Sequence, residues 1–410
     1  MINCRILLIV SIVFLTALAE ATLGQDTLWV QTYNIGRVYD VHNTEDGGFI
    51  LGCDMSFIRT DSMGNALWIS TFGGEPFHRY YSIFELDDGY MGAGCGTGPS
   101  SRDFLLVRMN ESGDSLWSST FGTQHDDYAY SADKTDDGGY ILAGKTYASE
   151  YDDATDILVV KTDSLGGTLW SNTHGTFGTD YANSIKQTSD GGYIITGYRS
   201  NAEAGYLIKT DEYGEEEWYV LEMEGPGSIF YSVKQTMDGG YIAAGNKEIW
   251  GYPSYFVYYL TKYDSLGNKQ WERQFGDAPY WNQSRDVLQT VDGGYLIVGR
   301  KIDYHGGGNP AGFMLRTDSD GNELWSSIYP TEEGSWLFAV AQIAENVYVA
   351  SGTFDGYCWL MKFQEPSYCC EVDMIPDDDP IVVQPGGSFG YTGTLINSTE
   401  ESLAFDVWVG

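Results

Sequence analysis

One ten-residue phrase recurs through this chain, and its spacing restricts the available folds more than any other feature. Thr135 to Gly144 reads T-D-D-G-G-Y-I-L-A-G, and close copies begin at Thr188, Thr236 and Thr290. Looser copies run from Thr44 to Gly52 and from Leu86 to Gly94, and a degenerate one from Glu345 to Gly352. The aromatic of each copy falls at Phe49, Tyr90, Tyr140, Tyr193, Tyr241, Tyr295 and Tyr348, which makes seven units 41 to 54 residues apart. A second motif, typified by Leu158 to Trp170, follows each copy, and its indole recurs at Trp68, Trp117, Trp170, Trp218, Trp271 and Trp325. The seventh indole, Trp29, stands before the first copy.

Each unit reads as four short strands, A to D. In the unit of Tyr193 these are Ala182 to Gln187, Tyr193 to Thr196, Tyr206 to Thr210 and Glu217 to Leu221. The A–B link is Asp-Gly-Gly, where glycine supplies the positive φ of a tight hairpin. The C–D link is Asp-Ser-x-Gly, which fits a type I turn closed by a left-handed glycine. No apolar period of 3.6 residues is sustained, so helices are expected to be minor. Four strands per repeat, seven times over, predict an all-β, seven-bladed β-propeller. The last repeat stops after strand C at Phe363, and Thr27 to Val30 is a D strand with no A to C before it. An N-terminal strand that completes the last blade would close the ring and remove its exposed edges. The propeller is placed at residues 25–364.

Fifty-eight Asp and Glu against 22 Lys and Arg give a net charge of -36, which excludes a general nucleic-acid binder because no basic face can be assembled. Residues 1–24 read as a secretory signal peptide: Arg5, an apolar run from Ile6 to Ala17, and a small-residue cleavage region between Ala19 and Gln25. The run is shorter than the roughly 20 residues a spanning helix needs. The mature chain is therefore expected to be secreted or cell-surface, without a membrane span or lipid anchor. Cys53, Cys95, Cys358, Cys369 and Cys370 remain after cleavage, an odd set whose pairing the sequence leaves open. Beyond the repeats, 365–380 reads as an acidic linker with the run Asp377-Asp378-Asp379. Residues 381–410 alternate apolar and polar residues like the start of an Ig-like β-sandwich module.

The paired motifs T-x-D-G-G-Y and K-T-D-S-x-G-x-x-x-W resemble those of exported bacterial β-propeller repeat proteins. That resemblance implies a surface or secreted binding role and carries over no catalytic residue. The G-x-x-x-W element is also similar to the tryptophan motifs of quinoprotein propellers, but seven repeats replace eight and Cys369-Cys370 lies outside the ring. The C–D turn resembles the sialidase aspartate box one residue out of register.

Repeat length varies in the D–A and B–C loops, so recognition is assigned to the face they share. The B–C loops carry Tyr147, Tyr151, Trp250, Tyr252, Tyr255, Tyr304 and His305, and the D–A loops add Phe77, His78, His125, Tyr280 and Trp281. Aromatic rings beside polar groups suit a glycan, or a protein ligand. The binding set is Trp250, Tyr252, Tyr255, Tyr280, Trp281, Tyr304 and His305. Asp152, Asp153 and Asp156 are candidate calcium ligands without EF-hand spacing; no other cofactor is expected. One basic residue ends each C strand, for example Lys161 and Arg316, and is read as a local ion-pair partner of the hairpin aspartate. The repeated Tyr and Trp rings are read as core between blades. Register on the A strands also brings Arg37 and Arg79 to one level near the channel mouth, with Arg285 deeper and Asp40 or Asp286 nearby. Such guanidiniums clamp a carboxylate in pairs, so the alternative to a non-catalytic binding module is a sialidase-like hydrolase.

Overall fold

The computed structural model describes residues 26–72, 78–98, 101–149, 152–175, 178–223, 227–252, 254–303, 307–365, 371–376, 389–396 and 402–409. The chain divides into two compact units, 1–364 and 365–410. Among the described residues every regular element is a strand, and no helix is long and apolar enough to cross a membrane.

The first unit is a succession of four-stranded antiparallel meanders, the strand pattern of a β-propeller. The meander of Tyr193 comprises Asp180–Gln187, Tyr193–Arg199, Ala204–Thr210 and Glu216–Leu221, each longer than the sequence pattern alone requires. Sheets I to VII are numbered by their A strands: Val38–Asn43, Arg79–Leu86, Asp127–Lys134, Asp180–Gln187, Ser228–Gln235, Trp281–Gln289 and Ser335–Ala344. Sheets V and VI join edge to edge through one parallel bridge, Phe256 with Trp281. Strand D of sheet VII is Asp26–Tyr33, antiparallel to Tyr357–Gln364 with Tyr33 opposite Cys358. Successive sheets pack face to face, and the A strand of sheet I touches sheet VII as well as sheet II.

The A–B hairpin explains the T-x-D-G-G phrase atom by atom. Thr135 Oγ1 donates to Asp137 Oδ1 at 2.6 Å, the Gly139 N–H donates to the same oxygen at 3.0 Å, and Gly138 takes φ 81°. A Cβ on Gly139 would meet the Thr162 carbonyl and the Lys161 ammonium, so only glycine fits there. Lys161 Nζ then pairs with Asp137 at 2.8 Å, and the same pairing recurs between Arg59 and Asp46, Lys209 and Asp190, Lys262 and Asp238, Arg316 and Asp292, and Arg108 and Asp88. Burial raises the Asp137 carboxyl, but hydrogen bonds from Lys161 and Thr135 outweigh it and hold the group down to about 2.

The tryptophans pack between sheets as expected, at the outer rim of the core. They lie on the outer D strands and are half-buried, apart from Trp325, which is buried. Five of the rings, those of Trp29, Trp68, Trp170, Trp218 and Trp271, set an edge on the hairpin aromatic of the next sheet: Trp68 on Tyr90 at 5.7 Å, Trp170 on Tyr193 at 5.9 Å and Trp29 on Phe49 at 5.8 Å. The C–D turn of that next sheet covers the ring, and a Cβ on Gly64 would come within 2.7 Å of Trp29. The core between sheets is built mainly by B and C strands, as where Ile141, Ile157 and Val159 meet Ile185, Ile195 and Tyr206.

Every A strand carries a bulge, in sheet I between Val38 and Asp40 and in sheet III between Ala129 and Ser131. The extra residue takes the peptide N–H just beyond it out of the A–B ladder. The preceding sheet supplies the acceptor. Ile83 donates to Asp40 at 3.0 Å, Ala132 to Ser82 at 2.9 Å, Ile185 to Ser131 at 3.2 Å, Val233 to Ser184 at 3.4 Å and Val340 to Asp286 at 3.2 Å. Ser232 completes the series by donating to Asp286 at 2.8 Å.

The second unit is a three-stranded antiparallel sheet of Glu371–Pro376, Phe389–Ile396 and Ser402–Val409. The first of these strands falls inside the segment expected as a linker, where Glu371-Val372-Asp373-Met374 alternates polar and apolar residues as a half-covered strand does. The signal segment 1–24 and Asp377 to Asp379 lie outside the described residues.

Deletion of residues 26–31 strips the edge of sheet VII and is expected to lower Tm by more than about 5 °C, given roughly 2–4 °C per kcal/mol in large domains. A six-residue deletion within 365–380 is the control, and equal melting temperatures would refute the closing role of the N-terminal strand. Asp137 has a folded pKa below its unfolded value, so its contribution is full above about pH 4 and lost as pH falls toward 2. The Tm difference between wild type and Asp137→Asn should therefore close over that window; a constant gap down to pH 2 would contradict the ion-pair account.

Candidate functional site

The A strands enclose a cavity of about 330 Å³ whose lining comes from all seven inner strands. Because side chains alternate along a strand, the same register position of each A strand reaches the same depth. Near the mouth lie Arg37, Arg79 and Trp336. One level down, Tyr39, Tyr81, Tyr130, Tyr231 and Phe338 form an aromatic belt that Arg285 and Asn183 interrupt. Deeper still lie Asp40, Asp286, Lys186 and Lys234. Tyr39 packs on Tyr81 at 4.7 Å and on Phe338 at 5.6 Å, and Tyr81 on Tyr130 at 5.7 Å.

The structure thus brings Arg37, Arg79, Arg285 and Asp40 around one cavity and gives them different surroundings. Arg79 Nε pairs with Asp54 at 3.5 Å. That carboxylate is further occupied by the Tyr39 hydroxyl at 2.9 Å and the Arg37 backbone N–H at 3.1 Å. Arg285 stacks over Tyr231 at 4.6 Å and approaches Phe338 at 5.8 Å. Burial pushes its guanidinium below the usual arginine range. Asp40 is raised by burial, and both its oxygens are taken by backbone N–H groups, of Val41 at 2.9 Å and Ile83 at 3.0 Å. Asp286 is likewise engaged, by Ser232, Val287 and Val340.

Arg300 is the residue that register on the A strands misses. It follows Gly299 on strand B of sheet VI, opposite Gln283, and its Nε donates to Gln283 Oε1 at 2.9 Å. Its guanidinium lies 3.6 Å over the Trp336 ring, with Arg37 5.6 Å from the same ring. Burial, reinforced by Arg285 and then Arg37, pushes it down to about 10. An alignment of the residues that follow the repeat glycine would have singled it out, since only this copy places arginine there.

The loop aromatics separate into two groups. Trp250 is 77% exposed and Tyr252 fully so. Tyr255 and Tyr280 are half-buried, and Lys301 Nζ sits 3.9 Å over the Tyr280 ring. Trp281 corrects the expectation of a free ring: it is half-buried and packs edge-on against Phe256 at 5.0 Å, at the bridge between sheets V and VI. Asn282 Nδ2 braces that junction by donating to the Phe256 carbonyl at 2.9 Å. Tyr151, Phe77, Tyr304 and His305 lie outside the described residues. Asp156 is raised by burial and by Asp180, and the side chains of Asp152 and Asp153 also lie outside. Among the described residues no group of three His, Cys, Asp or Glu is placed to hold a metal ion. Cys53, Cys95 and Cys358 are buried thiols, and Cys369 and Cys370 fall outside the description.

No protein-family model matches the chain, and no curated protein matches it in sequence. Among solved structures it is similar to the WD40 domain of Pan2 from Neurospora crassa, with a TM-score of 0.56 at 11% identity over 83% of this chain and 95% of that one. It is also similar to a protein of unknown function from Dyadobacter fermentans (TM-score 0.46, 11% identity, 84% of this chain and 100% of that one). A further match is a protein of unknown function from Bacteroides caccae (TM-score 0.40, 11% identity, 77% and 92%). At this identity the likeness to the WD40 domain concerns the fold alone, a β-propeller of repeated four-stranded sheets.

Trp250→Ala should leave stability within about 0.5 kcal/mol of wild type, as for exposed surface residues, whereas Trp281→Ala should cost about 2–3 kcal/mol by opening the V–VI junction. Equal denaturant midpoints for the two variants would contradict this division.

Proposed function

We propose that the chain is a secreted or cell-surface binding and scaffold module of the exported propeller-repeat kind: a seven-bladed propeller closed by its N-terminal strand and followed by an Ig-like module. The ligand is a glycan or an extracellular protein, taken on the face shared by the D–A and B–C loops. The observation that carries this reading is the coincidence, on that face, of the exposed rings Trp250 and Tyr252 with the open end of the axial cavity. The A strands frame the cavity, and the two rings stand on the short loop between the strands Tyr241–Ile249 and Tyr255–Tyr263. The WD40 likeness supports a propeller scaffold and is silent on the ligand.

A hydrolytic role needs a carboxyl group that is free to move a proton beside the arginines. The two nearest on the A strands, Asp40 and Asp286, already bind backbone N–H groups deeper in the channel. That arrangement favours binding without turnover.

Glycan and peptide arrays probed with the mature chain should return hits that are lost in a Trp250→Ala, Tyr252→Ala double variant of unchanged Tm. Turnover of sialosides that disappears in Arg79→Ala would overturn the non-catalytic reading, and arrays without any hit would overturn the face.

A further inference from the structure

Arg37, Arg285 and Arg300 gather at the cavity mouth of a protein with 58 acidic residues, yet none of the three makes an ion pair among the described residues. The local acid, Asp54, is already engaged by Arg79, Tyr39 and the Arg37 backbone. Arg37 is exposed and Arg285 and Arg300 are half-buried, and like charges gathered at a partly desolvated mouth repel one another unless an anion joins them. Three cations without a partner, in a chain with acid to spare, mark a place where the partner comes from outside.

The manner of holding says what that partner is. Arg285 and Arg300 lie over the rings of Tyr231 and Trp336, so stacking engages the guanidinium faces and leaves edge N–H groups to a ligand, apart from the Arg300 Nε–H that Gln283 takes. Arg285 lines the cavity and is half-buried, and its Nε has neither solvent nor a hydrogen-bond partner. Edge-on forks match a planar carboxylate in two parallel bonds. The cavity, about 330 Å³, is far larger than an inorganic anion requires and falls in the range of small-ligand pockets. Its remaining wall is aromatic and hydroxyl-rich, with Tyr39, Tyr81, Tyr130 and Asn183 at the level of Arg285. Apolar ring faces edged by hydroxyl and amide groups suit a polyhydroxylated ring.

We propose that the channel mouth binds a carboxylate-bearing sugar, a uronic- or sialic-acid residue at the end of an acidic glycan, with Arg285 and Arg37 gripping the carboxylate and Arg300 reinforcing the positive field. This rests on the binding-module reading and names the ligand class for the same face. The wide loops admit the rest of the glycan toward Trp250 and Tyr252, and the cavity takes its acidic terminus.

The test is calorimetric titration of the full chain with glucuronate, N-acetylneuraminate, methyl glucoside and inorganic phosphate. Either sugar acid should bind and methyl glucoside should not. Arg285→Met should weaken the sugar acid by at least about tenfold, equivalent to about 1.4 kcal/mol. Arg300→Met supplies a readout that a purely structural arginine would not give. The folded state holds this guanidinium below its unfolded pKa, so the charge disfavours folding at every pH below about 10, and its removal should raise the ligand-free Tm. Wild-type binding retained in Arg285→Met overturns the proposal, as does a lower ligand-free Tm in Arg300→Met. Phosphate bound as tightly as the sugar acids makes this a simple anion site and overturns the sugar. Array hits that survive Arg285→Met and are lost with Trp250 leave the face standing and remove the acid pocket; silence in both assays removes both.

Discussion

The architecture depends on one hydrogen bond repeated around the axis. A bulge in each inner strand releases a peptide N–H from its own sheet, and a buried donor of that kind cannot be left unmet. In Ser82, Ser131, Ser184, Asp40 and Asp286 the neighbouring strand offers an oxygen at the matching depth. Sheets that also meet through side-chain packing and a few peripheral backbone bridges are thereby tied in angle and height next to the axis. Fixed height is what lets seven separate strands present their side chains at common levels, and those levels compose the cavity.

The same bond explains why the deep acids serve structure while the shallow cations do not. Asp40 and Asp286 occupy the acceptor position, one residue beyond the aromatic belt, and their oxygens are consumed there. Arg37 and Arg285 sit above it, where their guanidiniums lie over ring faces. Two levels of one strand thus carry different duties. The lower one joins the sheets, and the upper one lines the cavity mouth.

Much of this was legible in the sequence because it repeats. The hairpin aspartates, their Lys or Arg partners and the turn glycines each recur on a fixed count, so their pairing followed from spacing. The acceptor series was visible too, as Asp40, Ser82, Ser131, Ser184 and Asp286 four residues before the hairpin threonine or its equivalent, but a hydroxyl in a strand carries no obvious duty until the bulge is seen. Arg300 escaped because it lies on strand B and reaches the mouth only through its pairing with Gln283. Trp281 was misjudged for a related reason: loop membership suggested exposure, whereas the bridge to Phe256 draws it into the junction. Singular residues leave no periodic trace, and the candidate site is made largely of singular residues.

The strand Asp26–Tyr33 is the first described part of the chain and the last edge of sheet VII. A polypeptide emerges from the ribosome N-terminus first, so this segment is available early and its partner, Tyr357–Gln364, more than three hundred residues later. Pairing at such separation raises the contact order and slows the final step of folding. Sheet I, complete soon after it, also contacts this segment, with Trp29 packed on Phe49 and the Tyr33 hydroxyl donating to the Gly64 carbonyl. That local contact docks the segment beside the seam and makes the closing event a short intramolecular search, carried out at high effective concentration once the remaining strands arrive.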